Sequence, residues 1–64
     1  MKVGKFKKIS VSYENTVLNK ETTVDFNKPA EVKMLGGFMM ITVIPTGNVY
    51  LYYEKNILSL YGEK

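Results

Sequence analysis

Histidine, cysteine, tryptophan, arginine and glutamine are all missing from this 64-residue chain. Their absence excludes imidazole bases, thiolate nucleophiles, zinc clusters, disulfides and the bidentate guanidinium clamp on carboxylates and phosphates. Most enzyme and metal chemistries end there. The remaining acid–base candidates are Glu14, Glu21, Asp25, Glu31, Glu54 and Glu63. Most of them fall at turns or ends, and the expected strand register brings no two together. Ser10, Ser12 and Ser59 have no histidine to activate them. Gly36-Gly37 has neither the spacing nor the following helix of a phosphate loop. The expectation is a protein that is not an enzyme and has no metal and no cofactor.

Long apolar runs are missing too. None approaches the roughly 20 residues that cross a bilayer. Met1-Lys2-Val3-Gly4-Lys5 leads into alternating residues rather than the apolar core of a signal peptide. No amphipathic helix accompanies this basic start, so the chain is expected in the cytoplasm and off the membrane surface.

The composition is otherwise that of a folding chain, with 45% hydrophobic and 23% charged residues. Nine Lys against six acidic residues give a net charge of +3 and a pI near 9.2. That bias is compatible with a nucleic-acid partner without demanding one. The length allows one domain, 1–64, with 1–5 expected as a flexible basic terminus. A core this small yields only a few kcal/mol of net stability. With no disulfide or metal to staple it, self-association or a partner is the remaining support, and a homodimer is favoured over a monomer.

Apolar residues recur with a period near two, and β-branched and aromatic types dominate, so the fold class is all-β. Ile9, Val11, Tyr13 and Val17 share one face of a first strand. Asn19-Lys20-Glu21 reads as a turn before a short strand that carries Val24 and Phe26 inward. Gly36-Gly37 reads as a two-residue hairpin turn, pairing Leu35 with Phe38, Met34 with Met39, Val32 with Ile41 and Ala30 with Val43. A three-residue loop at Pro45-Thr46-Gly47 then pairs Val43 with Val49, Ile41 with Leu51 and Met39 with Tyr53. A last loop at Lys55-Asn56 pairs Tyr53 with Leu58 and Leu51 with Leu60. The result is a C-terminal four-stranded meander covered by an N-terminal hairpin. Together they form a small antiparallel barrel or sandwich of five to six short strands, the size of an SH3 or OB domain.

This register puts Tyr50, Tyr52 and Tyr61 together on the second face of the meander, beside Lys33. Rings on a sheet can stack with unpaired bases while lysines follow the phosphates. The first reading is therefore weakly sequence-specific binding of single-stranded nucleic acid by Tyr50, Tyr52, Tyr61, Lys33 and the N-terminal Lys5, Lys7 and Lys8, with Lys2 nearby. The alternative uses the apolar residues of that face, Leu35, Phe38, Met40 and Ile44. Aromatic residues and Met are enriched at protein interfaces and Lys is depleted. That reading makes the chain an interaction or oligomerisation module, for example a small inhibitor or adaptor.

Overall fold

The Ile9, Val11, Tyr13 alternation makes the central strand of a sheet. The computed structural model describes residues 3–64; Met1 and Lys2, part of the expected basic terminus and cluster, lie outside the described residues. Strand β2 (Lys8–Asn15) pairs antiparallel with β3 (Lys20–Phe26) on one side and with β7 (Ile57–Glu63) on the other. The second sheet has the order β1 (Gly4–Phe6), β4 (Ala30–Leu35), β5 (Phe38–Val43), β6 (Val49–Tyr53). Among the described residues, seven strands in two antiparallel sheets thus replace the expected five or six. The extra one arises because the N-terminal segment bends at Lys7: its first piece joins β4 and its second joins β3 and β7. The bend is fastened where the Lys7 N–H donates to the Glu63 carbonyl at 2.6 Å.

The inner faces of the two sheets meet in one apolar core. Phe6, Ala30, Val32, Met39, Ile41 and Val43 come from the four-stranded sheet, and Ile9, Val11 and Phe26 from the three-stranded one. No polar or charged residue is buried among the described residues. Phe6, which short local alternation does not reveal, lies over Gly62. A Cβ placed on Gly62 would stand 2.5 Å from the Phe6 ring.

The β4–β5 hairpin has the expected register at every pair, from Ala30↔Val43 to Leu35↔Phe38. Gly36 and Gly37 both take positive φ, +51° and +85°, as a two-residue turn with the twist of a hairpin requires. Elsewhere the chain departs from expectation in three places. The first turn is 16–19 rather than 19–21. The Asn15 side-chain oxygen accepts the N–H groups of Val17 and Leu18 at 3.1 Å each, and Asn19 closes the turn at φ +54°. Asn is suited to both roles, so Val17 sits at the tip, 90% exposed, instead of in the core.

The second departure is a one-residue slip between β5 and β6. Val43 pairs with Asn48 through its N–H, and the loop between them is four residues, closed by Gly47 N–H on the Val43 carbonyl at 2.8 Å. Gly47 has the expected positive φ, +74°. Ile41 now faces Tyr50, and Met39 faces Tyr52. Because side chains alternate along a strand, a slip of one residue exchanges its two faces. Tyr50 and Tyr52 turn to the inside, while Val49, Leu51 and Tyr53 turn out.

The third departure is the last strand. Glu54–Asn56 form a single 3-10 turn rather than a hairpin loop. The turn redirects the chain to the open side of β2, where Leu60 meets Val11 and Tyr61 meets Ser10. The fourth strand of the larger sheet is therefore β1 and not β7. A bulge at Leu58 leaves that side chain exposed.

Candidate interaction face

Each of the two sheets has an outer face, and the registers define what each carries. On the four-stranded sheet the first row across β4, β5 and β6 is Leu35, Phe38 and Tyr53. The second is Lys33, Met40 and Leu51, and the third is Glu31, Thr42 and Val49. Leu35, Val49, Leu51 and Tyr53 are about half exposed or more, Leu51 most of all at 61%. The Phe38 and Tyr53 rings pack across the strands at 4.9 Å between centroids, and Lys55 Nζ lies 5.8 Å from the Tyr53 centroid. Within the strands of this face the charged residues lie on the β4 and β1 side, and Lys55 adds one beyond the end of β6. On the β4 and β1 side Lys33 Nζ approaches Glu31 at 3.9 Å, and Lys5 stands opposite Glu31. An exposed pair of this kind adds at most about 1 kcal/mol.

Three of the residues read from the sequence as an interface, Leu35, Phe38 and Met40, are brought side by side. Ile44 is exposed but sits in the β5–β6 loop. Val49, Leu51 and Tyr53 are the members that the sequence reading assigned to the interior. No pattern in Val49-Tyr50-Leu51-Tyr52-Tyr53 could have found them, because both of its faces are apolar.

The three tyrosines read as a stacking platform are not on one surface. Tyr50 turns toward the other sheet, still 40% exposed, and meets Phe26 of β3 nearly edge-on, with centroids 5.1 Å apart and an interplanar angle of 65°. Tyr52 meets Tyr13 of β2 at 5.0 Å. These two contacts join the sheets, and such pairs add about 0.5–1.5 kcal/mol each beyond area burial. Partial burial raises the Tyr52 hydroxyl pKa above 10.0, with Tyr13 and Tyr50 adding to the shift. Tyr61 is 67% exposed on the outer face of the other sheet, beside Ser10. Lys33 lies on the apolar sheet, Lys5 on β1, and Lys7 and Lys8 at the bend, with Lys8 facing Glu63.

That second outer face is polar throughout: Lys8, Ser10, Ser12 and Glu14 from β2, Glu21, Thr23 and Asp25 from β3, and Ser59, Tyr61 and Glu63 from β7. Ser12 and Thr23 hydroxyls hydrogen-bond across it at 2.9 Å. Glu14 stands directly opposite Glu21, so one carboxylate pair is brought together where the sequence reading expected none. Both are exposed at the mouth of the turn. No group of three or more metal-ligating side chains occurs among the described residues. No helix is long and apolar enough to cross a membrane among them either.

Compared with protein-family models, with curated proteins and with solved structures, the chain gives no match, so the reading of this face rests on its own geometry.

Proposed function

We propose that this chain is a non-enzymatic interaction module, its two sheets curling toward a small barrel, that docks on protein through the outer face of β4, β5 and β6. The observation that carries the reading is the contiguous group Leu35, Phe38, Met40, Val49, Leu51 and Tyr53, aligned in cross-strand rows with no charge on β5 or β6. Antiparallel sheets ordinarily solvate one face with polar side chains, as the other sheet does here. A contiguous exposed apolar patch marks a contact surface. Its aromatic and Met content matches the residues enriched in interface cores.

Binding of single-stranded nucleic acid through Tyr50, Tyr52, Tyr61, Lys33, Lys5, Lys7 and Lys8 has less support. Two of the rings are engaged between the sheets, and the third stands on a face bearing Glu14, Glu21, Asp25 and Glu63 against Lys8. Those carboxylates repel phosphates.

The test places a photoactivatable cross-linker at Met40 in the full chain. The expected result is a cross-linked species of one defined mass that disappears when Phe38→Lys is added and persists with Ser12→Lys. Cross-linking that ignores Phe38→Lys, or none at all, overturns the reading.

A further inference from the structure

The hydrogen bonds at the two ends of the β5–β6 ladder fix which backbone groups of β6 are spent. The Val43 N–H donates to the Asn48 carbonyl, and the Glu54 N–H donates to the Gly37 carbonyl. Both pairs belong to the register that joins Ile41 to Tyr50 and Met39 to Tyr52. Hydrogen-bonded and non-bonded pairs alternate along an antiparallel ladder. Tyr50 and Tyr52 therefore turn their N–H and C=O groups to β5, and Val49, Leu51 and Tyr53 turn theirs away. Among the described residues no strand lies on that side. None of the outward N–H groups, and neither the Val49 nor the Leu51 carbonyl, enters a turn, loop or side-chain hydrogen bond among the described residues. A groove bordered on its other side by Glu14, Asn15 and Thr16 runs beside this edge.

The other edges are guarded in the ways sheet edges usually are. The β1 strand is three residues long and carries Lys5. The β7 strand is broken by the bulge at Leu58 and ends at Glu63. The β3 strand carries Lys20, Glu21 and Asp25. Antiparallel pairing of β3 with itself about Thr23 would set Glu21 against Asp25, a like-charge contact. The five residues of β6 have no charge, proline, glycine or bulge. It is the edge whose own residues set no like charges against a second copy.

We propose that β6 pairs antiparallel with β6 of a second copy of this chain about a two-fold axis at Leu51, joining two four-stranded sheets into one. This inference rests on the interaction reading above and names its partner. The register centred on Leu51 pairs the whole strand: Leu51 faces Leu51, Val49 faces Tyr53, and Glu54 falls opposite Asn48 rather than a like charge. Each Leu51 N–H donates to the other copy's Leu51 carbonyl, and each Tyr53 N–H to the other copy's Val49 carbonyl. On the outer face the Val49, Leu51 and Tyr53 side chains of the two copies meet, and the apolar rows run on across the axis. A five-residue edge is only about 17 Å long and buries less than the roughly 800 Å² per partner of a standard interface, so dilution separates the copies.

The absence of native cysteine gives a direct test. Antiparallel hydrogen-bonded partners have Cα atoms about 5.5 Å apart, within disulfide range. A Leu51→Cys variant is therefore expected to oxidise to a disulfide dimer at least about ten-fold faster than Val49→Cys, whose two copies stand roughly 13 Å apart along the strands. A mixture of Val49→Cys and Tyr53→Cys gives the mixed dimer. Leu51 is exposed, so Leu51→Cys folds like the parent, and sedimentation of the unmodified protein to about 1 mM reports association independently. Equal rates at Leu51→Cys and Val49→Cys overturn the register. Fastest oxidation at Phe38→Cys overturns edge pairing while leaving the face reading intact. A chain monomeric at about 1 mM overturns self-pairing altogether, and the Met40 cross-linking then decides the face reading alone.

Discussion

The two sheets have inner faces of the same kind and outer faces of opposite kinds. Inside, each presents β-branched and aromatic side chains to one shared core, to which the four-stranded sheet adds Met39. Outside, the three-stranded sheet is hydroxyls, carboxylates and Lys8, whereas β5 and β6 of the other sheet present Phe38, Met40, Val49, Leu51 and Tyr53. Core formation explains the inner faces fully. It does not explain the apolar outer face, which exposes to water what a β-strand needs only on one side. The difference separates what makes the chain fold from what makes it bind.

Substitutions can break that separation at several depths. The largest effect is expected inside the core: Ile41 is fully buried, and Ile41→Asp puts an unpaired charge there, which abolishes the thermal unfolding transition. Its outward neighbour Thr42→Asp leaves the transition in place. Gly62→Ala is next, since the added methyl collides with the Phe6 ring; a loss of about 1–3 kcal/mol in denaturant titration is expected. Gly47→Val forces a β-branched residue to φ +74° and costs about 1–3 kcal/mol by the same measurement. A smaller change sharpens the comparison itself. Leu51→Lys and Ser12→Lys each move stability by no more than about 0.5 kcal/mol, but only Leu51→Lys removes association in sedimentation. If Ser12→Lys removed it as well, the two outer faces would not differ in function.

The smallest effect concerns the contacts that join the sheets. The Tyr52 hydroxyl titrates above its ordinary value of 10.0 when folded, chiefly because burial disfavours the anion. The folded state thus holds its proton more tightly than the unfolded state. The corresponding stability is fully present below the unfolded value and is lost as pH rises through the folded one. Unfolding midpoints should fall above about pH 10. Tyr52→Phe should flatten that alkaline slope and leave the neutral pH range little changed.

The β4–β5 hairpin was legible in the sequence because each of its signals is local. Two glycines set the turn, and Ala30, Val32 and Met34 alternate with Glu31 and Lys33 so that a single register suits the interior. The β6 strand was not legible, for the opposite reason. Val49-Tyr50-Leu51-Tyr52-Tyr53 has two apolar faces, and a loop of four residues in place of three exchanges them without any penalty that the pattern can express. The choice is made at long range, by Phe26 and Tyr13 receiving Tyr50 and Tyr52. The path of β7 was hidden in the same way, since Glu54-Lys55-Asn56 does not disclose that β2 has an unpaired side to receive it. Of the candidate site, Leu35, Phe38 and Met40 were found through the legible hairpin. Leu51 and Tyr53 were missed through the illegible strand.

The most direct test of the central claim is a dilution series of amide chemical shifts on the full chain, from about 1 mM to about 20 µM. The account predicts that concentration-dependent shifts centre on Val49–Tyr53 and the residues beside that edge, while Ser10, Ser12, Thr23 and Ser59 stay constant. Spectra that do not change with concentration, or shifts centred on the polar outer face of β2, β3 and β7, would contradict it.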